Sequence, residues 1–381
     1  MKIKVYMPRE DSHLLEKEVL EHAKGEVLDM GTGSGIQAEA AASLKKVKKV
    51  LAVDKSRHAL NYCKEHLKSR KIKLLKSDLF LKIPKKNFDT IIFNPPYLPT
   101  DKVNDIALDG GKKGYELLEQ FLERVSDYLK PKGVLLIIFS SLTGREKIDE
   151  ILRLNFLDFK LLNTAHFFYE KLYTYKITKS EMLKEFERKK IFNISYFAKG
   201  KRGLVFTASY RKKKIAIKVK NPESKAQHTI ENEARILKRL NRKKIGPKFI
   251  CKGRNYLIYY FVSGDYIKDW ILKASKKSIS KMFKDVLKQC NTLDKMKINK
   301  LEMHHPLKHI IISHSPVMID FERAHKTKSP KNVTQFLQFI RNNIQLLNQK
   351  GFKLSKDIIL DISKEYSKNP KIGSVIAKLG L

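Results

Sequence analysis

The chain has 381 residues, enough for two domains of ordinary size, and its 42% share of hydrophobic residues excludes a wholly disordered protein. Its 79 Lys and Arg outnumber 40 Asp and Glu and give a net charge of +39. The three cysteines are too widely spaced for a disulfide framework, and the N-terminus lacks the apolar run of a secretion signal. The apolar segments are too short to cross a bilayer, so we expect a cytoplasmic protein.

Residues 20–180 alternate short apolar runs with helical patterns. Runs of about five apolar residues separated by helices indicate a parallel sheet that is covered on both faces. Two further strand-like segments have no helix between them and predict an antiparallel pair at the edge of this sheet. The apolar runs are Glu26–Met30, Val50–Asp54, Ile72–Asp78, Phe88–Asn94 and Gly133–Ser140, and the edge pair is Phe156–Thr164 with Leu172–Thr178.

The pattern changes after a charged segment, residues 179–191, which we interpret as a connector. Residues 193–220 are predicted to form a strand pair with a glycine turn, and the remainder of the chain is increasingly helical. A β-rich start followed by helices is typical of a small α+β domain with two lobes. The sequence therefore predicts two domains, residues 1–178 and 192–381.

The basic charge is concentrated in the second half of the chain. Residues 1–180 hold 33 basic and 24 acidic side chains, whereas residues 181–381 hold 46 and 16. This asymmetry predicts a polyanionic partner for the second half, either a nucleic acid such as ribosomal or transfer RNA or an anionic surface, and a lysine-rich proteome is the alternative. The run Arg211-Lys212-Lys213-Lys214 is interpreted either as an exposed hairpin turn or as a grip for RNA phosphates.

A glycine loop and two acids follow successive strands of the first domain. Gly31, Gly33 and Gly35 lie between the first predicted strand and a helix, where glycines let the backbone turn sharply and approach a ligand. Asp54 ends the next strand, 23 residues after Gly31, where an acid typically accepts ribose hydroxyls. Asp78 ends the third, where a carboxylate reaches an adenine amine. The alternatives are a helix cap for Asp54 and a turn residue for Asp78.

The fourth strand ends in Asn94-Pro95-Pro96-Tyr97. The two prolines cannot continue a hydrogen-bonded ladder, so the chain leaves the sheet there. The Asn94 amide oxygen and a backbone carbonyl fixed by proline can accept both hydrogens of a planar NH2 group, with Tyr97 packed against it. The nitrogen lone pair is then directed at an electrophile by orientation and desolvation alone. A strand-ending turn without chemistry is the alternative.

Several short motifs of residues 1–178 occur together in one family of enzymes. They are Tyr6-x-Pro8-x-Glu10-Asp11-Ser12, the loop from Leu28 to Gly35, Asp54, Ser77-Asp78-Leu79, the segment from Phe93 to Pro99, Gly110-Gly111-x-x-Gly114 and Ser140-Ser141-Leu142. With these motifs the chain resembles the HemK (PrmC)-type methyltransferases, in their archaeal and eukaryotic branch.

This resemblance implies a Rossmann-like class I methyltransferase fold with a mostly parallel seven-stranded sheet and helices on both faces. It implies S-adenosylmethionine as cofactor and methylation of a glutamine amide in the GGQ loop of a peptide-chain release factor, a step of translation termination. A small zinc-binding activator subunit is a further implied partner. The implied cofactor residues are Ser12, Asp29, Gly31, Gly33, Gly35, Asp54, Asp78 and Leu79, and the implied catalytic residues are Asn94, Pro95, Pro96 and Tyr97.

A competing hypothesis uses the same four catalytic residues. An Asn-Pro-Pro-Tyr loop also serves methylation of the exocyclic amine of adenine in RNA or DNA, by enzymes that extrude the base. Residues 1–178 show no insert for target recognition, although the basic second half offers a grip on nucleic acid. Adenine methylation therefore stays open as the alternative.

The second half carries another set of residues in an informative order. In protein kinases this order places a glycine hairpin over ATP, a Lys on its phosphates, a Glu that holds the Lys, a base, and an Asp that binds magnesium. Each residue alone is explained equally well as a turn residue or a solvated charge. The set is Gly200, Gly203, Lys218, Glu233, Glu302 and Asp320, with Asp320 as the magnesium ligand.

Residues 192–381 resemble small archaeal predicted Ser/Thr kinases related to the RIO-type atypical kinases. The resemblance implies ATP and Mg²⁺ as cofactors. The sequence departs from the kinase pattern, because Lys300-Leu301 replaces the expected His-Gly, Glu302 replaces Asp, and the second metal-binding Asn is missing. An active kinase and an ATP-binding pseudokinase both stay open. The motifs are Lys199-Gly200-x-Arg202-Gly203, Ala216-Ile217-Lys218, Glu231-Asn232-Glu233-Ala234-Arg235, Ile245-Gly246-Pro247-Lys248, Glu302-Met303, Pro306-Leu307-Lys308-His309, the segment from Ile319 to Ala324, and that from Lys331 to Gln335.

Overall fold

The computed structural model describes residues 5–84, 87–97, 110–226 and 228–381. The chain divides into two compact units, Met1–Lys190 and Ile191–Leu381. Two residues of the expected methyltransferase motifs, Leu98 and Pro99, lie outside the described residues.

A seven-stranded sheet forms the centre of the first unit. Its strands are β1 (Gly25–Met30), β2 (Val47–Asp54), β3 (Ile72–Lys76), β4 (Phe88–Phe93), β5 (Leu129–Ser140), β6 (Leu157–His166) and β7 (Lys171–Lys179). The strand order is β3-β2-β1-β4-β5-β7-β6. Strands β1 to β5 run parallel, and β7 runs antiparallel between β5 and β6. The predicted parallel sheet with an antiparallel edge pair is confirmed.

Helices pack on both faces of this sheet. They are α1 (Glu10–His22), α2 (Ile36–Ser43), α3 (Arg57–His66), α4 (Glu116–Val125), α5 (Arg145–Leu154) and α6 (Glu181–Arg188). Ile92 belongs to an apolar cluster with Leu15 of α1 and Ala41 of α2. Its neighbour Phe93 points to the opposite face, where its ring lies 4.4 Å from that of Phe121 in α4. Adjacent residues of β4 are therefore buried under different helices, which explains the continuous apolar run.

The sequence pattern predicts a helix over Glu116–Leu129 and a connector over residues 179–191, and the structure differs from both predictions. Helix α4 ends at Val125, because the Tyr128 carbonyl accepts a hydrogen bond of 2.7 Å from Phe88 N as the chain joins the sheet. The expected connector, residues 179–191, contains helix α6. Phe186 of this helix is buried and its ring meets Phe156 at 5.5 Å, so the charged segment is an amphipathic helix of the first unit.

The second unit begins with a five-stranded antiparallel sheet in the order β11-β12-β10-β9-β8. Its strands are β8 (Ile191–Lys199), β9 (Gly203–Tyr210), β10 (Lys213–Lys220), β11 (Phe249–Lys252) and β12 (Tyr256–Tyr260), and α7 (Thr229–Asn241) follows β10. The prediction of two strands over residues 193–220 is wrong, because three strands, β8, β9 and β10, occupy this segment. Arg211 and Lys212 form the second turn with φ of 48° and 61°, and Lys213 and Lys214 belong to β10.

The rest of the second unit is mainly helical around an apolar core. Phe283 and Phe336 meet edge to face in this core at 5.6 Å. Within the described ranges, no helix is long and apolar enough to cross a membrane. The helices are α8 (Ile267–Lys273), α9 (Lys276–Lys295), α10 (Asn332–Asn342), α11 (Ile344–Gln349), α12 (Lys356–Lys368) and α13 (Ile372–Lys378), and the short strands are β13 (Asp265–Tyr266), β14 (Ile298–Asn299), β15 (Ile310–Ile312), β16 (Pro316–Met318) and β17 (His325–Lys326).

Candidate active site

A cavity of about 460 Å³ opens in the first unit at the carboxyl ends of β1 and β4. These strands are neighbours although the chain passes from β1 to β2, so the strand order reverses between them. Open α/β sheets bind their ligands at such a reversal. The cavity gathers most of the sequence-predicted residues of this unit, namely Ser12, Asp29, Gly31, Gly33, Asp54, Asp78, Leu79, Asn94, Pro95, Pro96 and Tyr97.

The glycine loop forms one wall of the cavity. Gly31 and Gly33 have φ of 63° and 56°, the left-handed conformation that glycine adopts without strain. Gly35 serves packing instead, because a Cβ there would lie 2.8 Å from the Leu67 side chain and 3.1 Å from Cys63 Sγ. Gly35 is not among the residues that line the cavity, and its cofactor role stays a prediction.

Asp29 is a buried carboxyl group at the end of β1. Its side chain accepts a hydrogen bond of 2.6 Å from Thr32 Oγ1 and is 1% exposed. Burial raises the pKa of Asp29 to about 7, and the nearby charge of Asp54 adds to this rise. A positively charged ligand in the cavity would favour the ionised form of this group.

Asp54 organises the turn after β2. One carboxylate oxygen accepts from Gly33 N at 3.0 Å and the other from Ser56 N at 2.7 Å. Ser56 itself caps α3 by accepting from Ala59 N, so Asp54 is not the helix cap that was its alternative explanation. The Asp54 carboxylate thus connects the glycine loop after β1 to the turn after β2 at the cavity wall.

Asp78 and Leu79 follow β3 in a tight turn. Asp78 is exposed to the cavity, and Leu79 has a φ of 40°, which is unusual for a residue with a side chain. Ser77 Oγ donates a hydrogen bond of 2.9 Å to the Leu79 carbonyl and thereby holds this conformation.

The amide of Asn94 is oriented by Asp11 at the start of α1. Asn94 Nδ2 donates a 2.8 Å hydrogen bond to Asp11 Oδ2, while Asp11 Oδ1 accepts from Tyr6 Oη at 3.0 Å. A carboxylate accepts hydrogen bonds and does not donate them, so the Asn94 oxygen faces away from Asp11. That oxygen, Oδ1, is buried and has no hydrogen-bond partner in the part of the chain that the structure describes. An unsatisfied buried acceptor costs about 1–3 kcal/mol and marks a place for a donor from a ligand.

The rest of the Asn-Pro-Pro-Tyr loop is held through its backbone. Thr143 Oγ1 donates to the Tyr97 carbonyl at 3.2 Å. A Cβ on Gly110 would lie 2.9 Å from the Pro96 carbonyl oxygen, so only glycine permits this close approach. Burial, together with the charge of Asp11, raises the pKa of Tyr97, which therefore stays a neutral phenol.

Asp11, Thr143 and Gly110 have roles in the site that no local sequence pattern predicts. Asp11 and Gly110 belong to motifs that were noted, but Asp11 lies 83 residues from its partner Asn94. The motifs marked Asp11 and Gly110 as characteristic of the family, and the structure adds the hydrogen bond and the backbone contact that each one makes.

A second cluster of charges lies in the second unit around Lys218 of β10. Its Nζ lies 2.7 Å from Glu233 Oε2 of α7, 2.7 Å from Asp320 Oδ1 and 3.3 Å from Glu322 Oε2. Glu233 Oε1 also accepts from Phe321 N at 3.0 Å, which ties α7 to the loop after β16. The carboxylates of Glu233, Asp320 and Glu322 lie close enough together to ligate one metal ion.

The pKa values in this cluster follow from burial and mutual charge. Burial alone would lower the pKa of Lys218, but the three carboxylates outweigh it and raise the pKa well above its ordinary value. Burial raises the pKa of Asp320, yet Lys218 and Lys300 outweigh this and bring it to about 2. Burial, with the nearby charge of Asp320, raises the pKa of Glu233 although Lys218 opposes this rise. The cluster therefore holds a charged lysine beside an ionised Asp320.

The glycine turn of the second unit lies beside Lys218. Gly200 N donates to the Gly203 carbonyl at 2.8 Å and closes the turn between β8 and β9. A Cβ on Gly203 would lie 3.3 Å from Lys218 Cε, and Arg202 Nη1 lies 3.4 Å from Glu322 Oε1. The turn, β10, α7 and the loop after β16 thus meet at one place.

Glu302, the expected base, is engaged by two cations. Lys300 is fully buried and donates through Nζ to the Asp320 carbonyl at 2.5 Å, and the same Nζ lies 3.5 Å from Glu302 Oε2. Arg323 Nη1 lies 3.7 Å from Glu302 Oε1. Burial lowers the pKa of Lys300 more than the neighbouring carboxylates raise it. Lys300 therefore connects Glu302 to Asp320 of the Lys218 cluster.

The strand order of the first unit and the residues at the ends of β1 to β4 define a class I, S-adenosylmethionine-dependent methyltransferase. Residues 10–169 match the methyltransferase small domain family. Over 161 residues the chain is 41% identical to a protein of Methanocaldococcus jannaschii, provisionally named a protein N5-glutamine methyltransferase, and this match covers 40% of the chain and 81% of that protein. The chain belongs to this family of methyltransferases.

Other relatives and structures are similar over the first unit. A release factor glutamine methyltransferase of Gloeobacter violaceus is 30% identical over 150 residues, or 34% of this chain, and the chain spans only about half (52%) of that protein's length. Among solved structures, the E. cuniculi Mtq2-Trm112 complex, responsible for the methylation of the translation termination factor eRF1, is similar at 26% identity and a TM-score of 0.38, over 46% of this chain and 98% of that one.

One likeness extends over both units. The bifunctional kinase-methyltransferase WbdD is 12% identical with a TM-score of 0.45, over 97% of this chain and 86% of that one.

Proposed function

We propose that the first unit methylates the side-chain amide nitrogen of a glutamine in a peptide-chain release factor. The observation that carries this proposal is the buried, unpartnered Asn94 Oδ1, which Asp11 keeps turned toward the cavity. An acceptor fixed in this way suits a planar NH2 group, and Oδ1 would take one of its two hydrogens. Relatives named for glutamine methylation support the choice of an amide over an adenine amine.

The cofactor S-adenosylmethionine fits the half of the cavity formed by β1, β2 and β3. A volume of about 460 Å³ lies within the usual range for small-molecule sites. The carboxyl groups of Asp29, Asp54 and Asp78 suit a cationic ligand with ribose and adenine groups. When bound, the cofactor supplies a methyl group on a positively charged sulfur. The proposed cofactor residues are Ser12, Asp29, Gly31, Gly33, Asp54, Asp78 and Leu79.

The chain's own residues contribute orientation and exclusion of water. Asn94 Oδ1 and a backbone carbonyl of the proline pair accept the two amide hydrogens, which leaves the nitrogen lone pair pointing at the methyl group. The buried Tyr97 packs against the amide plane. Positioning of this kind provides catalysis without a strong base, because two reactants are held in one geometry. Once the nitrogen carries the methyl group, it releases one of its two hydrogens as a proton to water, which leaves a neutral N-methyl amide.

Two partners follow from this proposal. The release factor is the substrate, and a small activator subunit is proposed by analogy with the branch that the motifs resemble. Within the described ranges, the outer strand β3 pairs only with β2. Its free edge is suited to accept a strand from such a subunit.

A labelling experiment with two substrates tests the proposal. Wild-type protein and Asn94→Ala are incubated with methyl-labelled S-adenosylmethionine and either release factor or RNA and DNA. We expect label in the release factor with the wild type and a loss of at least about 100-fold with the variant. Label in nucleic acid, with none in release factor, would establish adenine methylation instead.

A second proposed function concerns the Lys218 cluster. We propose that the second unit binds ATP with Mg²⁺, because a lysine held by a helix glutamate beside an aspartate suits phosphates and their metal. Glu302 is engaged by Lys300 and Arg323, so we propose a binding module without efficient phosphoryl transfer. Calorimetric titration of the full chain with Mg·ATP tests binding, and transfer of labelled phosphate to protein would support the alternative of a Ser/Thr kinase.

A further inference from the structure

The hairpin between β6 and β7 exposes two large aromatic rings at its tip. Phe168 is 91% exposed and Tyr169 is 86% exposed, and their rings meet edge to face at 4.7 Å. Phe167 N donates to the Glu170 carbonyl at 2.8 Å, which closes the turn and directs both rings outward. Adjacent exposed rings of this size mark a contact surface rather than a chance exposure.

The strand pairing places this tip at the carboxyl edge of the sheet, where the cavity opens. His166 pairs with Lys171, and Leu172 pairs with Ser140 at the end of β5. Because β5 lies beside β4, the tip is on the side of Asn94 that is away from β1, β2 and β3. It therefore lies toward the substrate end of the cavity and not toward the proposed cofactor end.

Hydrogen bonds connect the hairpin to the Asn-Pro-Pro-Tyr loop. Glu170 accepts a short hydrogen bond from Ser140 Oγ, and Lys171 N donates to Ser141 Oγ at 3.0 Å. Ser141 begins a 3-10 helix that ends at Thr143, and Thr143 Oγ1 donates a hydrogen bond of 3.2 Å to the Tyr97 carbonyl. The hairpin is thus braced against the loop that carries Asn94.

We propose that Phe168 and Tyr169 form a docking surface for the polypeptide that carries the target glutamine. This inference rests on the proposed function of the first unit. Flat rings pack well against peptide planes, and their position lets them hold the chain on one side of the cavity while Asn94 takes the amide.

Charge favours a polypeptide over a nucleic acid at this surface. The Glu170 carboxylate lies at the base of the tip, close enough to Tyr97 for its charge to act there. Lys171 follows Glu170, so residues 166–171 carry no excess of positive charge that would attract a phosphate backbone, whereas the exposed rings suit a polypeptide. The first unit is also only mildly basic, with 37 basic and 27 acidic side chains in residues 1–190.

The test compares the double variant Phe168→Ala, Tyr169→Ala with the wild type in steady-state methylation of full-length release factor. We expect the KM for release factor to rise about 10- to 100-fold, with kcat and the affinity for S-adenosylmethionine unchanged. The conservative variant Phe168→Tyr, Tyr169→Phe keeps both rings and should restore the wild-type KM. Leu81→Ala is the matched control, since Leu81 is 73% exposed but lies after β3 on the opposite side of Asn94.

Direct binding separates this inference from the proposed function. The Kd for release factor is measured for Asn94→Ala with and without the two ring substitutions, so that turnover is not needed. Unchanged Kd and KM would overturn the docking surface while leaving glutamine methylation in place. A raised KM for RNA alone, or a change of oligomeric state by light scattering with KM unchanged, would equally overturn it.

Discussion

Asn94 Nδ2 donates a 2.8 Å hydrogen bond to Asp11 Oδ2, and this bond determines which way the Asn94 amide faces. The two residues come from the end of β4 and the start of α1, so two separate elements must be in place before the buried oxygen of Asn94 points into the cavity. The proposed chemistry depends on that orientation, because the opposite one would present a donor to the substrate amide.

We predict that Asp11→Asn lowers kcat for methyl transfer about 10- to 100-fold and leaves the affinity for S-adenosylmethionine unchanged. An amide at position 11 can donate as well as accept, so it no longer selects one orientation of Asn94. Glu10→Gln is the matched control, since it makes the same chemical change at the exposed neighbouring position. An equal kcat for Asp11→Asn and wild type would show that Asp11 does not position Asn94.

The buried Asp29 predicts a pH dependence of stability. The folded-state pKa of about 7 lies above the value of 3.8 expected for an exposed group. This carboxyl therefore costs nothing below pH 3.8, and its destabilising effect grows as the pH rises to about 7 and is complete above it. The free energy of unfolding of Asp29→Asn, measured in urea, should rise relative to that of the wild type as the pH increases. We expect this difference between the two proteins to grow by about 3 kcal/mol from pH 5 to pH 8. A difference that does not change with pH would contradict the burial of an ionisable Asp29.

Gly110 tests whether close backbone packing holds the catalytic loop. A Cβ there would lie 2.5 Å from the Gly114 carbonyl oxygen and 2.9 Å from that of Pro96, so Gly110→Ala must displace the backbone. We expect methyl transfer to fall at least about tenfold, with cofactor affinity nearly unchanged, as measured by initial rates and calorimetry. Gly373→Ala in α13 is the control, because no described atom lies within 4 Å of its Cβ position. Full activity of Gly110→Ala would mean that the loop tolerates this shift.

The site residues that could be predicted from sequence are those announced by local signals. Asp54 and Asn94 each end a short apolar run, and the carboxyl ends of parallel strands meet at one edge of the sheet. The prolines after Asn94 mark the exit of the chain from the sheet. Such signals need only a few neighbouring residues, and the structure brings both side chains into one cavity.

What escaped prediction depends on contacts between distant segments or on unusual local conformations. The bond between Asp11 and Asn94 spans 83 residues, and no pattern within either segment specifies it. A hairpin turn at Arg211 and Lys212 was one interpretation of the sequence, but the positive φ of both residues was not expected, because the Gly, Asn or Asp that usually signals this conformation is missing. Lys300 is a lysine with no exposed surface, and lysines are rarely buried unless paired.

For the second unit, we predict that Asp320→Asn weakens Mg·ATP binding at least about tenfold in calorimetric titration of the full chain. The variant removes a carboxylate charge that lies 2.7 Å from Lys218 Nζ. The same carboxylate is one of the three that lie close enough together to ligate a metal ion. Asp269→Asn on α8, where the side chain is 54% exposed, makes the same change away from the cluster and should bind as the wild type does. Equal affinity for Asp320→Asn would remove the proposed metal role of Asp320.

The position of the transferred methyl group tests the central claim most directly. Release factor labelled by the wild-type protein is hydrolysed in strong acid, which cleaves an N-methyl side-chain amide to glutamate and methylamine. Glutamine methylation at the Asn94 site predicts that the label is recovered as methylamine, and that Asn94→Ala yields none although it still binds S-adenosylmethionine. Label that stays attached to an amino acid after hydrolysis would contradict it.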